Sequence, residues 1–274
     1  MANRRWATRA VLVLLLGFGI AQMILTVSDW HLRDMGAYWE AGERLRLGEQ
    51  LYPPLADPES SATYRYAPWF AWLWVPITLL PRELVSVAWS MILLTASSIA
   101  LLPAIRARAW VVVILFTPIL FGISAIGNAH PLIIAALVHG VERRSGPVWI
   151  AAAASLKAVP ILFVVVYLGR RQWRRAFVAL AVTIALVIPM AFYDLGNYPT
   201  GSGAAGGLIA VPPLYVLAVA VGIIVSLRIA RRDTGWLASA ATVVVATPRL
   251  FVYDISYVLV GLASPPASNQ RHEG

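Results

Sequence analysis

The chain has no cysteine, and only one of its 274 residues, Lys157, is a lysine. Without cysteine there is neither a disulfide framework nor a thiolate metal site. Charge is scarce as well: Asp, Glu, Lys and Arg make up 13% of the residues against 59% hydrophobic ones. Soluble domains are about one-quarter charged and lack repeated long apolar runs, so this composition belongs to a membrane protein. Acidic residues are the rarer sign, 13 against 22 basic, for a net charge of +9. The excess does not mark a nucleic-acid binder. Its arginines stand in short clusters between apolar runs, where anionic lipid and the cytoplasmic bias of basic loops account for them. No Gly-rich phosphate loop, His-x-x-x-His pair or acidic cluster with ligand spacing occurs. His31 and His139 carry no metal spacing, so no metal and no cofactor are expected. The Gly-rich stretch 201–207 reads as a flexible loop rather than a nucleotide cradle.

What the chain does have is apolar length. Runs at 10–27, 84–105, 109–126, 176–193 and 208–228 each approach the ~20 residues that a helix needs to cross ~30 Å of hydrocarbon. Shorter runs lie at 67–80, 129–141, 147–169 (broken near Pro160), 235–247 and 249–264. Arg4, Arg5 and Arg9 precede the first run, which is long for a signal-peptide core and lacks a small-x-small cleavage site. It reads as an uncleaved first transmembrane helix. With the N-terminus in the cytoplasm and 67–80 dipping into the membrane without crossing, the arginine clusters near 106, 143, 170–175 and 228–232 all fall inside. The C-terminus is then cytoplasmic too. This arrangement leaves 15 basic and 3 acidic residues inside, for +12, and 7 basic and 10 acidic outside, for −3. A full crossing by 67–80 would turn the clusters at Arg106 and Arg143 outward, against the cytoplasmic bias. The expected fold is all-α, a polytopic membrane helix bundle of about ten spans, several of them short or re-entrant. It forms one domain over 1–263, with a disordered cytoplasmic tail at 264–274.

The one long hydrophilic stretch, 28–66, lies outside in this topology. Met35, Tyr38, Trp39, Gly42 and Leu45 recur at helical spacing, and Gly48 is placed to end the helix. The pattern predicts an amphipathic helix lying on the membrane surface with its apolar side down. Glu40 and Glu43 read as solvated residues of its other face. Asp34 stands directly before the helix as a candidate N-cap, a role that would also fix its carboxylate in space. Leu51-Tyr52-Pro53-Pro54 and Tyr64-Arg65-Tyr66-Ala67-Pro68-Trp69 follow, extended by their prolines and anchored by their aromatics.

Several polar residues converge on the same side. Gly127-Asn128-Ala129-His130 forms the turn between two spans. Lys157 sits at the break between two short helices, Arg249 in the turn before the last span, and Tyr253 and Asp254 at its start. Ionisable groups at membrane depth face a cavity or a partner. Lys157 and Arg249 are cations on the side that otherwise avoids them, and a phosphate at the membrane surface would explain both. The plainer reading is an internal ion pair, such as Arg249 with Asp254, or snorkelling. Arg65 could likewise meet a phosphate or pair with Glu59. His130 reads as a satisfied interface residue or a ligand contact.

Together these residues resemble glycosyltransferase family 87. Asp34-x-x-x-Tyr38, Ala41-Gly42 and Gly48-x-x-Leu51-Tyr52 are similar to the family's first outer loop. Tyr66-Ala67-Pro68-Trp69-Phe70-Ala71 with Pro76 and Leu79-Leu80-Pro81 resembles its next stretch. Leu156-Lys157-Ala158-Val159-Pro160 with Arg170-Arg171-Gln172-Trp173-Arg174 resembles its central Lys-x-x-Pro and basic-aromatic turn. Pro248 with Tyr253-Asp254 is similar to a late segment. Gly127-Asn128-Ala129-His130 departs from the family's usual Gly-Gln-x-Asn. The resemblance implies a GT-C fold in a bacterial plasma membrane. It also implies transfer of a hexose, mannose above all, from a polyprenyl-phosphate donor to a lipid or glycan hydroxyl on the extracytoplasmic face. In that reaction Asp34 is the general base, with Asp29 as runner-up, and displacement inverts the anomeric carbon. Lys157, Arg249 and Arg65 hold the donor phosphate. Tyr38, Tyr66, Asn128, His130, Tyr253 and Asp254 line the substrate pocket. Two other readings use the same groove: a transporter or flippase for a lipid-linked intermediate, and an inactive scaffold of the same fold.

Overall fold

A computed structural model describes Gly17 and residues 32–54, 63–195 and 208–263. The rest of the first apolar run, Asp29, His31, Glu59, the 201–207 loop and the tail lie outside the described residues. Within them every regular element is helical. Helix α1 (Arg33–Leu47) is followed by the short α2 (Pro68–Trp74), α3 (Arg82–Arg106), α4 (Trp110–Ala125) and α5 (His130–Gly140). Next come α6 (Gly146–Leu156), a 3-10 turn (Val159–Phe163), α7 (Val164–Gly169), α8 (Trp173–Val187), α9 (Pro212–Ile229) and α10 (Gly235–Ala246). The last segment, Val252–Leu262, is 3-10 throughout its 11 residues, long for a geometry that usually lasts three or four.

Proline and arginine punctuate the helices much as the sequence predicts. Pro68, Pro131, Pro147 and Pro212 stand in first turns, where a missing N–H costs nothing. Gly48 ends α1 with φ 73°, and its N–H reaches the carbonyls of Arg44 and Leu45. At 7 residues α2 is only about 10 Å long, too short to cross a bilayer. Among the described residues three helical stretches are long and apolar enough to do so: Arg82–Arg106, Trp173–Phe192 and Pro212–Ile229. Helices α8 and α9 leave most of their apolar side chains exposed, Phe177, Ile184, Val216 and Leu217 among them. Such contiguous apolar surface needs lipid rather than water. The chain is a membrane protein built as a helix bundle.

Pro103 lies inside α3 and has no N–H for the carbonyl of Ile99, four residues back. His139 Nε2 donates to that carbonyl at 2.8 Å. The isolated histidine therefore repairs a helix.

Two apolar cores meet at Leu156. The larger is built around Leu120, Ile134, Phe163, Tyr167, Trp236 and Tyr257. The smaller is aromatic and gathers side chains of residues 32–89, with Tyr38, Tyr52, Tyr64, Phe70 and Trp74. The second core corrects the expectation for α1. Its repeat is as predicted, but Met35, Ala37, Tyr38, Trp39 and Ala41 are buried against protein, chiefly α2. The helix is therefore packed into the molecule rather than laid on the bilayer. A helical repeat marks an apolar face without saying what covers it.

Candidate active site at the Asp34 end of α5

The turn before α5 organises the site. Gly127 adopts φ 79°, and a Cβ there would fall within 3.1 Å of Leu32 and Met35, so only glycine lets α1 come this close. Trp89 Nε1 holds the Gly127 carbonyl at 2.8 Å, and the Asp34 N–H donates to Ile126 at 2.9 Å. Asp34 is therefore not a cap. Helix α1 begins one residue earlier, at Arg33, and the Asp34 carboxylate turns away from its own backbone to Asn128.

That contact is 2.5 Å, from Asn128 Nδ2 to Asp34 Oδ2. The other end of the amide, Oδ1, accepts the His130 N–H at 2.8 Å. His130 is fully buried. Its Nε2 lies 3.0 Å from the Tyr253 carbonyl and 2.9 Å from Ser256 Oγ. A carbonyl only accepts, so Nε2 carries the proton, and Nδ1 is buried with no partner among the described residues. Ser256 in turn donates to the Tyr253 carbonyl at 2.7 Å. One polar chain thus links the Val252–Leu262 segment, the α5 turn and Asp34.

A second link comes from Lys157, at the break after α6. Its Nζ is 3.1 Å from Asp254 Oδ1 and 4.4 Å from the centre of the Tyr253 ring. Asp254 also accepts the Phe251 N–H at 3.0 Å. The internal ion pair is therefore Lys157 with Asp254, not Arg249 with Asp254. Lys157 can reach the nearly buried carboxylate from the helix break, whereas the Arg249 guanidinium lies over Phe251, 4.9 Å from its ring centre.

Burial pushes the Asp34 carboxyl above the ordinary carboxylate range. Asn128, Lys157, Arg65 and Arg33 oppose the shift without cancelling it. Burial likewise raises the Tyr66 phenol. Tyr38 is buried; it takes the Ala129 N–H at 3.2 Å and donates to Tyr66 at 3.1 Å. The structure brings Asp34, Asn128, Lys157, Arg65, Tyr66 and Tyr253 together, with Arg249 among the charges acting on Tyr253. It does not leave them equally open. Tyr38, Asn128, His130 and Asp254 are buried and frame the site, whereas Asp34, Arg65, Tyr66, Lys157, Arg249 and Tyr253 keep partial exposure. Sequence reasoning missed Arg33, Ser256 and the bond from Trp89. A serine at helical offset from Tyr253 and a tryptophan at the head of a span carry no separate sequence signal. Among the described residues no group of three or more His, Cys, Asp or Glu side chains could hold a metal ion.

An apolar cavity of about 620 Å³ opens beside this cluster, between α2, α3, α5 and α6. Its near end is Trp69, Ala129 and Leu156, and its far end is Ile99, Ala136 and Trp149. Ala129 adjoins Asn128 and Leu156 adjoins Lys157, so the apolar wall stops where the polar groups start. At the junction Trp69 Nε1 donates to Ser155 Oγ at 3.0 Å.

The sequence model of glycosyltransferase family 87 matches residues 64–197. Over that stretch the chain is similar to the family. It is a glycosyltransferase. The matched stretch carries Arg65, Tyr66, Trp69, Asn128, His130, Lys157 and the whole cavity wall, while Asp34, Arg249, Tyr253 and Asp254 flank it. No curated protein and no solved structure matches the chain.

Proposed function

We propose that this glycosyltransferase moves a hexose, mannose foremost, from a polyprenyl-phosphate carrier to a lipid or glycan hydroxyl on the extracytoplasmic face of a bacterial plasma membrane. The observation that carries this reading is the continuity of the apolar cavity with the Asp34–Lys157 cluster. A donor that is half hydrocarbon and half sugar phosphate needs both surfaces side by side. Residues 149–156 of α6 and 92–99 of α3 line about 10 Å of the groove, enough for the first units of an isoprenoid tail.

In this reading the chain forms a single GT-C bundle over residues 1–263 with both termini cytoplasmic, and the shorter apolar helices complete crossings inside protein. Lys157, Arg65 and Arg249 attract the donor phosphate, and Tyr66 and Tyr253 flank the sugar. The acceptor oxygen attacks the anomeric carbon from the face opposite the phosphate. The carbon–oxygen bond to phosphate breaks, and its electron pair leaves with the polyprenyl phosphate. The acceptor proton passes to Asp34, and the anomeric configuration inverts. The leaving group is already a stable anion, so cations that stabilise it matter more than an acid that protonates it. Among the described residues the long spans carry no ionisable side chain at mid-depth, where coupled transporters use one, which favours transfer over transport.

Bulk in the groove provides the test. Ala136→Phe should raise KM about tenfold for a long polyprenyl-phosphate mannose while changing KM for a five-carbon isoprenyl analogue by less than about twofold. Equal KM changes for the two donors would remove the groove from the reaction.

A further inference from the structure

Asn128 spends both ends of its amide on protein. Its Oδ1 must be the end facing His130, because a backbone N–H can only donate; the end facing Asp34 is therefore the Nδ2 donor. With 6% of its surface exposed, Asn128 has little left to offer a substrate. Asp34 is held on one side only. Its Oδ2 takes the 2.5 Å contact, and among the described residues Oδ1 accepts no hydrogen bond. The carboxylate thus has one fixed oxygen and one open oxygen. The fixing group is anchored in turn through His130 to the Tyr253 carbonyl and Ser256, beside the Asp254 that pairs with Lys157.

We infer that Asn128 is the positioning residue of the transfer, holding Asp34 Oδ2 so that Oδ1 alone meets the acceptor hydroxyl, in register with the Lys157–Asp254 pair. The inference rests on Asp34 being the base. In the step it serves, the acceptor O–H proton moves to Oδ1 as the new oxygen–carbon bond forms and the carbon–phosphate oxygen bond breaks. Donation from Nδ2 stabilises the ionised form, so Asp34 stays deprotonated at a pH where burial alone would protonate it.

The test uses the full chain in lipid nanodiscs with two readouts: an infrared pH titration of the carboxyl band that Asp34→Asn removes, and transfer from farnesyl-phosphate mannose to a membrane lipid extract. Asn128→Ala removes both amide contacts. Asn128→Asp keeps an acceptor for the His130 N–H and replaces the amide donor that meets Asp34 and neighbours Tyr66, so it remains informative should the alanine variant fail to fold. In both variants the Asp34 midpoint should rise by about one pH unit or more. Turnover should fall about tenfold or further, with donor KM within about twofold. An unmoved midpoint overturns the inference, as does a raised KM at unchanged turnover, which would make Asn128 a substrate contact. The infrared midpoint needs no substrate and decides the positioning claim whichever sugar the enzyme carries. If Asp34→Asn transfers at the wild-type rate, the base assignment and this inference fall together. If that variant is inactive while the Asn128 variants leave the midpoint in place, only this inference falls.

Discussion

The two ends of α5 carry similar groups in opposite states. Beyond its C-terminus, Glu142 Oε1 takes Arg170 at 2.6 Å and Trp236 Nε1 at 2.5 Å, and Arg170 Nε also holds the Ala230 carbonyl at 2.7 Å. Beside it Arg175 reaches the carbonyls of Val141 and Arg143, and Tyr167 donates to Val141 at 2.5 Å. Carboxylate, guanidinium and aromatic rings there tie the turns after α5, α7 and α9 into one packed knot, in which Arg175 Nε is the one buried donor left without a partner among the described residues. At the N-terminal end, Asp34 keeps an oxygen open and Lys157 keeps partial exposure beside a cavity. The types of side chain do not distinguish a structural cluster from a reactive one. The surroundings do: Glu142 takes two donors inside packed protein, whereas Asp34 takes one beside a cavity.

Breaking each end should therefore give different losses. The largest effect is expected for Lys157→Met, which removes the cation that acts most strongly on the Asp34 carboxylate: transfer should fall about 10²–10³-fold. It also strands the buried Asp254 and lowers the melting temperature. The double variant with Asp254→Asn should regain stability without regaining transfer, so full recovery of activity would make the pair structural. At the opposite end, Glu142→Ala leaves Arg170 largely buried without its partner and should destabilise the protein by about 3 kcal/mol. Turnover per folded molecule should stay unchanged, and a selective loss of turnover would erase the contrast between the ends.

pH sharpens the same comparison. The Asp34 pKa is raised in the folded protein, so between the unfolded value of about 3.9 and the folded one the native state binds the extra proton. Lowering pH through the folded value should add Asp34-linked stability while transfer is lost, because the base becomes protonated. Melting temperature and rate measured across this window should move in opposite directions in the wild type, and Asp34→Asn should remove that component of the stability change. The smallest effect is expected at His139→Ala, which frees the Ile99 carbonyl: about 1 kcal/mol of stability, read by thermal melting, with no change in rate.

Much of this fold is legible in the sequence because lipid enforces simple rules. Apolar length, prolines in first turns and arginines at helix ends place α3 to α7 within a residue or two of the expected runs, and α2 is as short as a re-entrant dip requires. Where the rules are silent, the reading stops. The apolar stripe of α1 has the same repeat whether it faces lipid or Trp74. Asp34 and Lys157 stand out as charges in a chain poor in them, yet their partners, Asn128 and Asp254, lie 94 and 97 residues away in sequence. Only packing could choose Lys157 over Arg249 for Asp254. Local propensity likewise gives no cue that Val252–Leu262 winds as a 3-10 segment.

The most direct measurement is single-turnover transfer of labelled sugar from a polyprenyl-phosphate donor by Asp34→Asn and Glu142→Gln, side by side in the same membranes and normalised to folded protein. The account predicts a loss of about 10²-fold or more for Asp34→Asn and a near wild-type rate for Glu142→Gln. Retained transfer by Asp34→Asn, with the loss falling on Glu142→Gln instead, would place the chemistry at the other end of α5 and contradict it.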